Sequence, residues 1–258
     1  MLRAPLRARG EKGRRRMARF FVAASNIFGG IAYISGKDAD HAKVLRLREG
    51  EIVTVCDGKG TDYSCRVKSS SPGTVEAEVI GKAPSAGEPD VDVTVYAAWP
   101  KGDKAETIVQ KTVELGAKSI VFYPSERCVS RPDDISASKK CARLARVSEE
   151  AAKQCGRGII PEVRFVSSFD DMLLEATRSR LGLFFYEEGG EPLREIIVAK
   201  PATVSVVTGP EGGFEPSEAA RAADARLITA TLGARILRCE TAPAVAVASV
   251  MLLTGNLG

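Results

Sequence analysis

The chain has 258 residues, of which 44% are hydrophobic and 27% charged, the proportions of a globular protein long enough for two cores and too apolar to be disordered over most of its length. No stretch approaches the eighteen uninterrupted apolar residues of a transmembrane helix. The longest apolar-leaning run, Ala242–Leu253, is shorter and contains Pro243 and Ser249. The net charge of +4 is unevenly shared, because residues 1–16 hold seven basic side chains against Glu11 and the other 242 residues sum to −2. Any polyanion-binding surface on the folded body must therefore be a local patch.

A single histidine, His41, argues against His-rich metal sites and repeated histidine acid/base chemistry. It reads as a turn or packing residue. The six cysteines (Cys56, Cys65, Cys128, Cys141, Cys155, Cys239) form no C-x-x-C and no zinc spacing, so reduced thiols are expected, and no metal. Residues 1–16 lack the apolar centre of a signal peptide and the serines of a transit peptide. They read as a disordered basic extension that either touches nucleic acid or stands outside the function, with Met17 a candidate start. A cytoplasmic protein with no membrane association is expected.

Along the chain, residues 17–82 read as short strands. RFFVAA, EIVTVCDG, DYSCRVKSS and TVEAEVI alternate apolar and polar positions, with Gly58, Gly60 and Pro72-Gly73 as turns. Strands so closely spaced predict a small barrel or sandwich. Residues 82–90, with two prolines and no apolar period, predict an interdomain linker. From Val91 the pattern becomes strand, helix, strand, helix. VDVTVYAAW is a strand, and Asp103 is placed to cap a helix that Gly116 stops. SIVFYP is a strand, and residues 136–155 form a basic amphipathic helix. LGLFFYEE, TVSVVTG and RLITAT are further buried strands, so a largely parallel sheet between helices is predicted.

The phosphate-loop and dinucleotide fingerprints are absent, and no Ser/His/Asp arrangement is convincing. Two other segments stand out. Thr208-Gly-Pro-Glu-Gly-Gly-Phe214 follows a buried strand, and its glycines suit either close approach of a ligand or an ordinary strand-to-helix turn. Leu232-Gly-Ala-Arg-Ile-Leu-Arg-Cys-Glu-Thr-Ala242 crowds Arg235, Arg238 and Glu240 near apolar residues, a costly arrangement unless the charges are paired.

These two motifs together resemble the RsmE family, SPOUT-class methyltransferases that act on N3 of a uridine in 16S (small-subunit) ribosomal RNA. The resemblance runs through nearly the whole chain from Met17. It includes residues 41–50 and 56–60 at the front, 101–116 in the middle, and Ser125-Glu-Arg127 and residues 150–157 further on. The family usually has Thr at Cys239 and Ser at Cys155. The resemblance implies a PUA-like RNA-binding β-barrel over residues 17–84 and a SPOUT α/β domain with a deep trefoil knot over residues 90–258. It also implies a homodimer through that second domain.

It further implies S-adenosyl-L-methionine held by Thr208, Gly209, Glu211, Gly212, Leu232, Gly233, Ile236, Leu237, Arg238, Thr241 and Ala242. The alternative for Ile236 and Leu237 is plain core packing. Methylation at N3 needs a proton acceptor and a group facing the developing anion. Arg238 is a stabiliser or a phosphate anchor, and Glu240 or Glu211 is either the acceptor or an arginine's partner. For RNA, Arg46 and Arg48 alternate along what reads as a half-buried strand, and Arg127, Arg143, Arg146 and Arg157 extend the track. Two rival functions stay open: a non-catalytic RNA-binding ribosome-assembly factor, and a methyltransferase for another RNA position.

Overall fold

The computed structural model describes residues 18–258. The basic extension and Met17 lie outside the described residues. Contacts divide the chain into two units, residues 1–84 and 85–258.

The first unit is a six-stranded sheet with one helix. Its strands are β1 (Arg19–Phe21), β2 (Ile27–Phe28), β3 (Ile31–Ser35), β4 (Ile52–Cys56), β5 (Thr61–Ser71) and β6 (Thr74–Pro84), and α1 is Lys37–Val44. The order is β1-β4-β5-β6-β3-β2, with β1 parallel to β4 and the remaining pairs antiparallel. Alternation puts Ile34, Val53, Val55, Cys65, Val67, Val75 and Ala77 into one core with Phe20 and Ala42. No ladder joins β1 to β2 among the described residues. These edges, three and two residues long, leave the expected barrel open.

One local reading is corrected here. Residues 45–48 are not a strand but the turn that leaves α1. Arg46 takes a positive φ of 54°, and the amides of Leu45, Arg46 and Leu47 donate to the carbonyls of His41, Lys43 and Ala42. The apolar/arginine alternation came from a helix ending, in which Leu47 turns back to the core while Leu45 stays exposed. His41 is helical and its ring meets Phe20 edge-on at 6.0 Å.

The second unit runs β7 (Asp92–Ala98), α2 (Lys104–Glu114), β8 (Ser119–Tyr123), α3 (Asp134–Cys155), β9 (Glu162–Phe165), α4 (Phe169–Ala176), β10 (Leu181–Phe185), β11 (Glu191–Pro192), α5 (Leu193–Ile196), β12 (Thr203–Thr208), α6 (Pro216–Asp224), β13 (Ile228–Thr231) and α7 (Ala242–Leu253). Every strand pair is parallel, in the order β11-β13-β10-β12-β7-β8-β9. Helices on both faces explain why residues 95–98 of β7 and 204–208 of β12 are buried without a break, although Thr94 and Ser205 interrupt the valines. β12 lies between β10 and β7, so the strand order reverses there, and the carboxyl ends of such strands are where open parallel sheets hold ligands.

Two expected details differ. Asp103 precedes α2, but its carboxylate accepts no helix amide. It faces Arg143 at 3.7 Å instead. Gly116, with φ 100°, does follow the last turn of α2, where a Cβ would strike Pro89 and Met251. Of the expected linker, residues 82–84 complete β6, and Glu88 is tied into the second unit by Arg157 at 2.7 Å.

Candidate active site

Both glycine-containing motifs leave the sheet at carboxyl strand ends. The first follows β12, whose end is locked by a hydrogen bond of 2.9 Å from the Tyr123 hydroxyl to the Thr208 carbonyl. The Thr208 hydroxyl donates to the Tyr96 carbonyl at 3.4 Å. Gly209 is required by packing, because a Cβ there would sit 3.0 Å from the buried Phe214 ring. Gly213 has φ 70°, and a side chain would collide with Glu187, whose carboxylate accepts the Phe214 amide at 2.8 Å.

The Ser125-Glu-Arg127 segment braces this loop from outside. The fully buried Glu218 carboxylate accepts the Ser125 hydroxyl, the Glu126 amide and the Glu215 amide, each at 3.0 Å. Arg127 grips Glu215 through Nε and Nη2 at 2.7 and 3.0 Å and the Gly212 carbonyl at 3.1 Å. A bidentate pair of this kind fixes geometry. Arg127 is thus a loop clamp, and the expected place in an RNA track is corrected to that extent.

The second motif follows β13. Gly233 has φ 99°, its amide donates to the Thr231 hydroxyl at 3.1 Å, and nothing lies within 4 Å of where a Cβ would be. Leu232 and Leu237 are half-buried, whereas Ile236 is 84% exposed, so core packing is excluded for Ile236. The loop closes onto α7, where the Arg238 carbonyl accepts the amides of Thr241 and Ala242 at 2.8 and 2.9 Å. The Arg238 guanidinium is exposed and forms no ion pair among the described residues.

Sequence reasoning missed the residue that joins the two loops. Lys104 Nζ lies 2.9 Å from Glu211, 3.7 Å from Glu240 and 3.8 Å from Cys239 Sγ. The glutamates therefore pair with a lysine from α2, where the sequence suggested an arginine. Glu211 also accepts the Lys101 amide at 3.0 Å. Burial alone would raise its pKa, but these donors outweigh it and bring the carboxyl down to about 2. Glu240 is likewise held below its ordinary value, burial being outweighed by backbone, Cys239 and Lys104. Burial and the neighbouring carboxylates push the Cys239 thiol up to about 12, so it stays neutral and donates to Glu240 at 3.3 Å. Glu211 is the more strongly acidified of the two carboxylates, which leaves Glu240 the better proton acceptor.

The other expected RNA contacts are scattered. Arg46 and Arg48 are exposed on the first unit. Arg143 is paired with Glu106 at 3.0 Å, and Arg146 is exposed. Arg157 is corrected outright. It is 3% exposed, bound to Glu88 and to the carbonyls of Val113 and Ala117, and no phosphate can reach it. A groove of about 780 Å³ between α3, β9 and α4, lined by Cys141, Arg164 and Glu175 among others, lies on elements that carry neither motif loop. No group of metal-ligating side chains exists among the described residues, and none of their helices is long and apolar enough to cross a membrane.

A parallel sheet with two braced loops at its switch point matches the family description "RNA methyltransferase domain" over residues 87–251, and "RNA methyltransferase PUA domain" over residues 34–80. The class is therefore that of RNA methyltransferases fronted by a PUA domain. Ribosomal RNA small subunit methyltransferase E of Bacillus subtilis is 33% identical over 86% of this chain and 90% of its own length. That of Mycobacterium bovis is 33% identical over 92% of each. A crystal structure of the Neisseria gonorrhoeae enzyme of the same name, bound to S-adenosyl methionine, is 29% identical and superposes with a TM-score of 0.81 over 92% of this chain and 98% of that one. The chain belongs to the ribosomal RNA small subunit methyltransferase E family.

Proposed function

We propose that this protein transfers a methyl group from S-adenosyl-L-methionine to N3 of a uridine in 16S-type small-subunit ribosomal RNA. The observation that carries this reading is the open space over Gly233, at φ 99°, on a loop that Lys104 ties to the glycine-rich loop after β12. Exposed backbone free of a side chain at that point suits a cofactor that must approach backbone closely. Backbone groups of Leu232, Gly233, Ile236 and Leu237 would hold its adenine, with Thr208, Gly209, Glu211, Gly212, Arg238, Thr241 and Ala242 completing the site. The bound cofactor supplies an electrophilic sulfonium methyl.

The chain's own residues handle the proton and the charge. As N3 becomes the nucleophile, its proton passes to the Glu240 carboxylate and from there to solvent. Negative charge building on O2 and O4 faces Arg238, whose guanidinium is exposed, forms no ion pair among the described residues and adds to the field that keeps Glu240 ionised. Mapping methylated nucleosides by mass in small-subunit RNA from cells with and without the gene tests the reading. A 3-methyluridine that disappears with the gene is expected, and an unchanged map would overturn it.

Three further features belong to the same proposal. A trefoil knot is supported by the chain order, since β12 and β13 each enter the sheet between two strands that precede them in the chain and α7 packs back on β7, β12 and α2. A homodimer through the second unit is supported by exposed Leu252, Leu253 and Leu257 at the end of α7 and just beyond it. The site of action is the cytoplasm, where ribosomal subunits are assembled.

Arg46 and Arg48 serve as phosphate contacts of the first unit in this reading. Arg46→Gln with Arg48→Gln should weaken RNA binding and flatten its salt dependence by about two units of slope, close to one per lost contact. Glutamine keeps an unbranched polar stem, and so no β-branch, at the positive-φ position. Cofactor affinity measured on the same protein should hardly change, and an equal loss of both would place these residues elsewhere in the function.

A further inference from the structure

We propose that Lys104 is a positioning residue for methyl transfer: it clamps the loop of residues 209–213 to the loop of residues 232–241 and thereby sets the place of Glu240. The proposal rests on the methyltransferase reading above.

Lys104 is the first residue of α2. A cation there meets the positive end of the helix dipole, so local structure gives no reason for it. The reason lies across the sheet's end. One ammonium faces Glu211 from the first loop and both Cys239 and Glu240 from the second, at 2.9, 3.8 and 3.7 Å. Residues 101–104 hold Glu211 twice, since the Lys101 amide and Lys104 Nζ share the same carboxylate oxygen. An ammonium has three donors, and three partners surround this one. Glu211 takes the one short hydrogen bond and Glu240 an ion-pair contact, so Lys104 bears on the reaction by holding the two carboxylates together.

The clamp is tested on the full chain with Lys104→Met, which keeps length without charge, and Lys104→Arg, which keeps the charge. Hydrogen exchange reads the loops without any need for activity. In Lys104→Met, residues 209–213 and 232–240 should both exchange about tenfold faster or more, and Lys104→Arg should restore most of the protection. Glu240→Gln, which releases one arm, should speed exchange in residues 232–240 alone, and it carries the test with Lys104→Arg if Lys104→Met does not fold. In methyl transfer, Lys104→Met should lower kcat by about 10–100-fold, the scale of a misplaced reacting group, with a clearly smaller rise in cofactor Kd, since both loops also line the cofactor site. Unchanged exchange in either loop of Lys104→Met overturns the clamp. So does a loss of cofactor affinity that matches the loss of kcat, since Lys104 would then be a cofactor contact. A wild-type protein that methylates no small-subunit RNA would instead sink the methyltransferase reading, while the exchange data would still decide the clamp.

Discussion

Gly233→Val is expected to abolish S-adenosylmethionine binding while leaving affinity for small-subunit RNA intact. Gly233 holds φ 99°, which a β-branched residue adopts only at a cost of about 1–3 kcal/mol. Apart from its two chain neighbours, no atom lies within 4 Å of the added Cβ, so the new side chain starts out into open space. The valine would occupy space that the protein itself leaves open, and it is the ligand that is excluded. Arg238→Ala separates the chemistry from the binding. Its side chain is exposed and its backbone, the part placed in the cofactor site, survives the substitution, so cofactor affinity should persist while kcat falls by about 10²–10³-fold, the effect of removing one stabiliser of transition-state charge. Isothermal titration paired with a methyl-transfer assay reads both variants. Undiminished cofactor binding in Gly233→Val would move the pocket away from this loop, and normal turnover in Arg238→Ala would remove that residue from the mechanism.

What could be read from the sequence followed its periodicity. The buried parallel strands announced themselves as runs such as TVSVV and VDVTV, and the glycine-rich loops that follow strands fell at the end of the sheet where they were expected. Two kinds of error arose. LRLR at residues 45–48 mimics a strand by its alternation of residue types alone, since only Leu47 of the two leucines turns back to the core where the helix ends. Arginine type says nothing of arginine surroundings, so Arg127 and Arg157 looked like phosphate contacts when each is held by a glutamate distant in sequence. Lys104 was invisible for the same reason. Its partners lie 107 and more positions away, and the one local signal, a lysine at the disfavoured end of a helix, is weak by itself.

The Arg157 correction carries the second large effect. Arg157→Ala should destabilise the second unit by about 3–5 kcal/mol, the cost of leaving one charge of a buried pair without its partner. The guanidinium contacts Glu88 at 2.7 and 3.3 Å and the carbonyls of Val113 and Ala117, so its removal strands a carboxylate and two acceptors. Thermal unfolding should fall by about 6–20 °C, at 2–4 °C per kcal/mol for a unit of this size. The pH dependence has a definite sign. Burial would raise the Glu88 pKa, but Arg157 and the amides of Ile159 and Gly158 hold it below 4.5. Its contribution is therefore complete above that value and is lost as pH falls through the lowered one. The gap in Tm between wild type and Arg157→Ala should accordingly narrow as pH drops from 7 through 4. Glu88→Gln with Arg157→Met, which removes both charges, should cost less than Arg157→Ala. An Arg157→Ala protein with unchanged Tm and a reduced salt slope of RNA binding would reverse the assignment and return this arginine to the RNA surface.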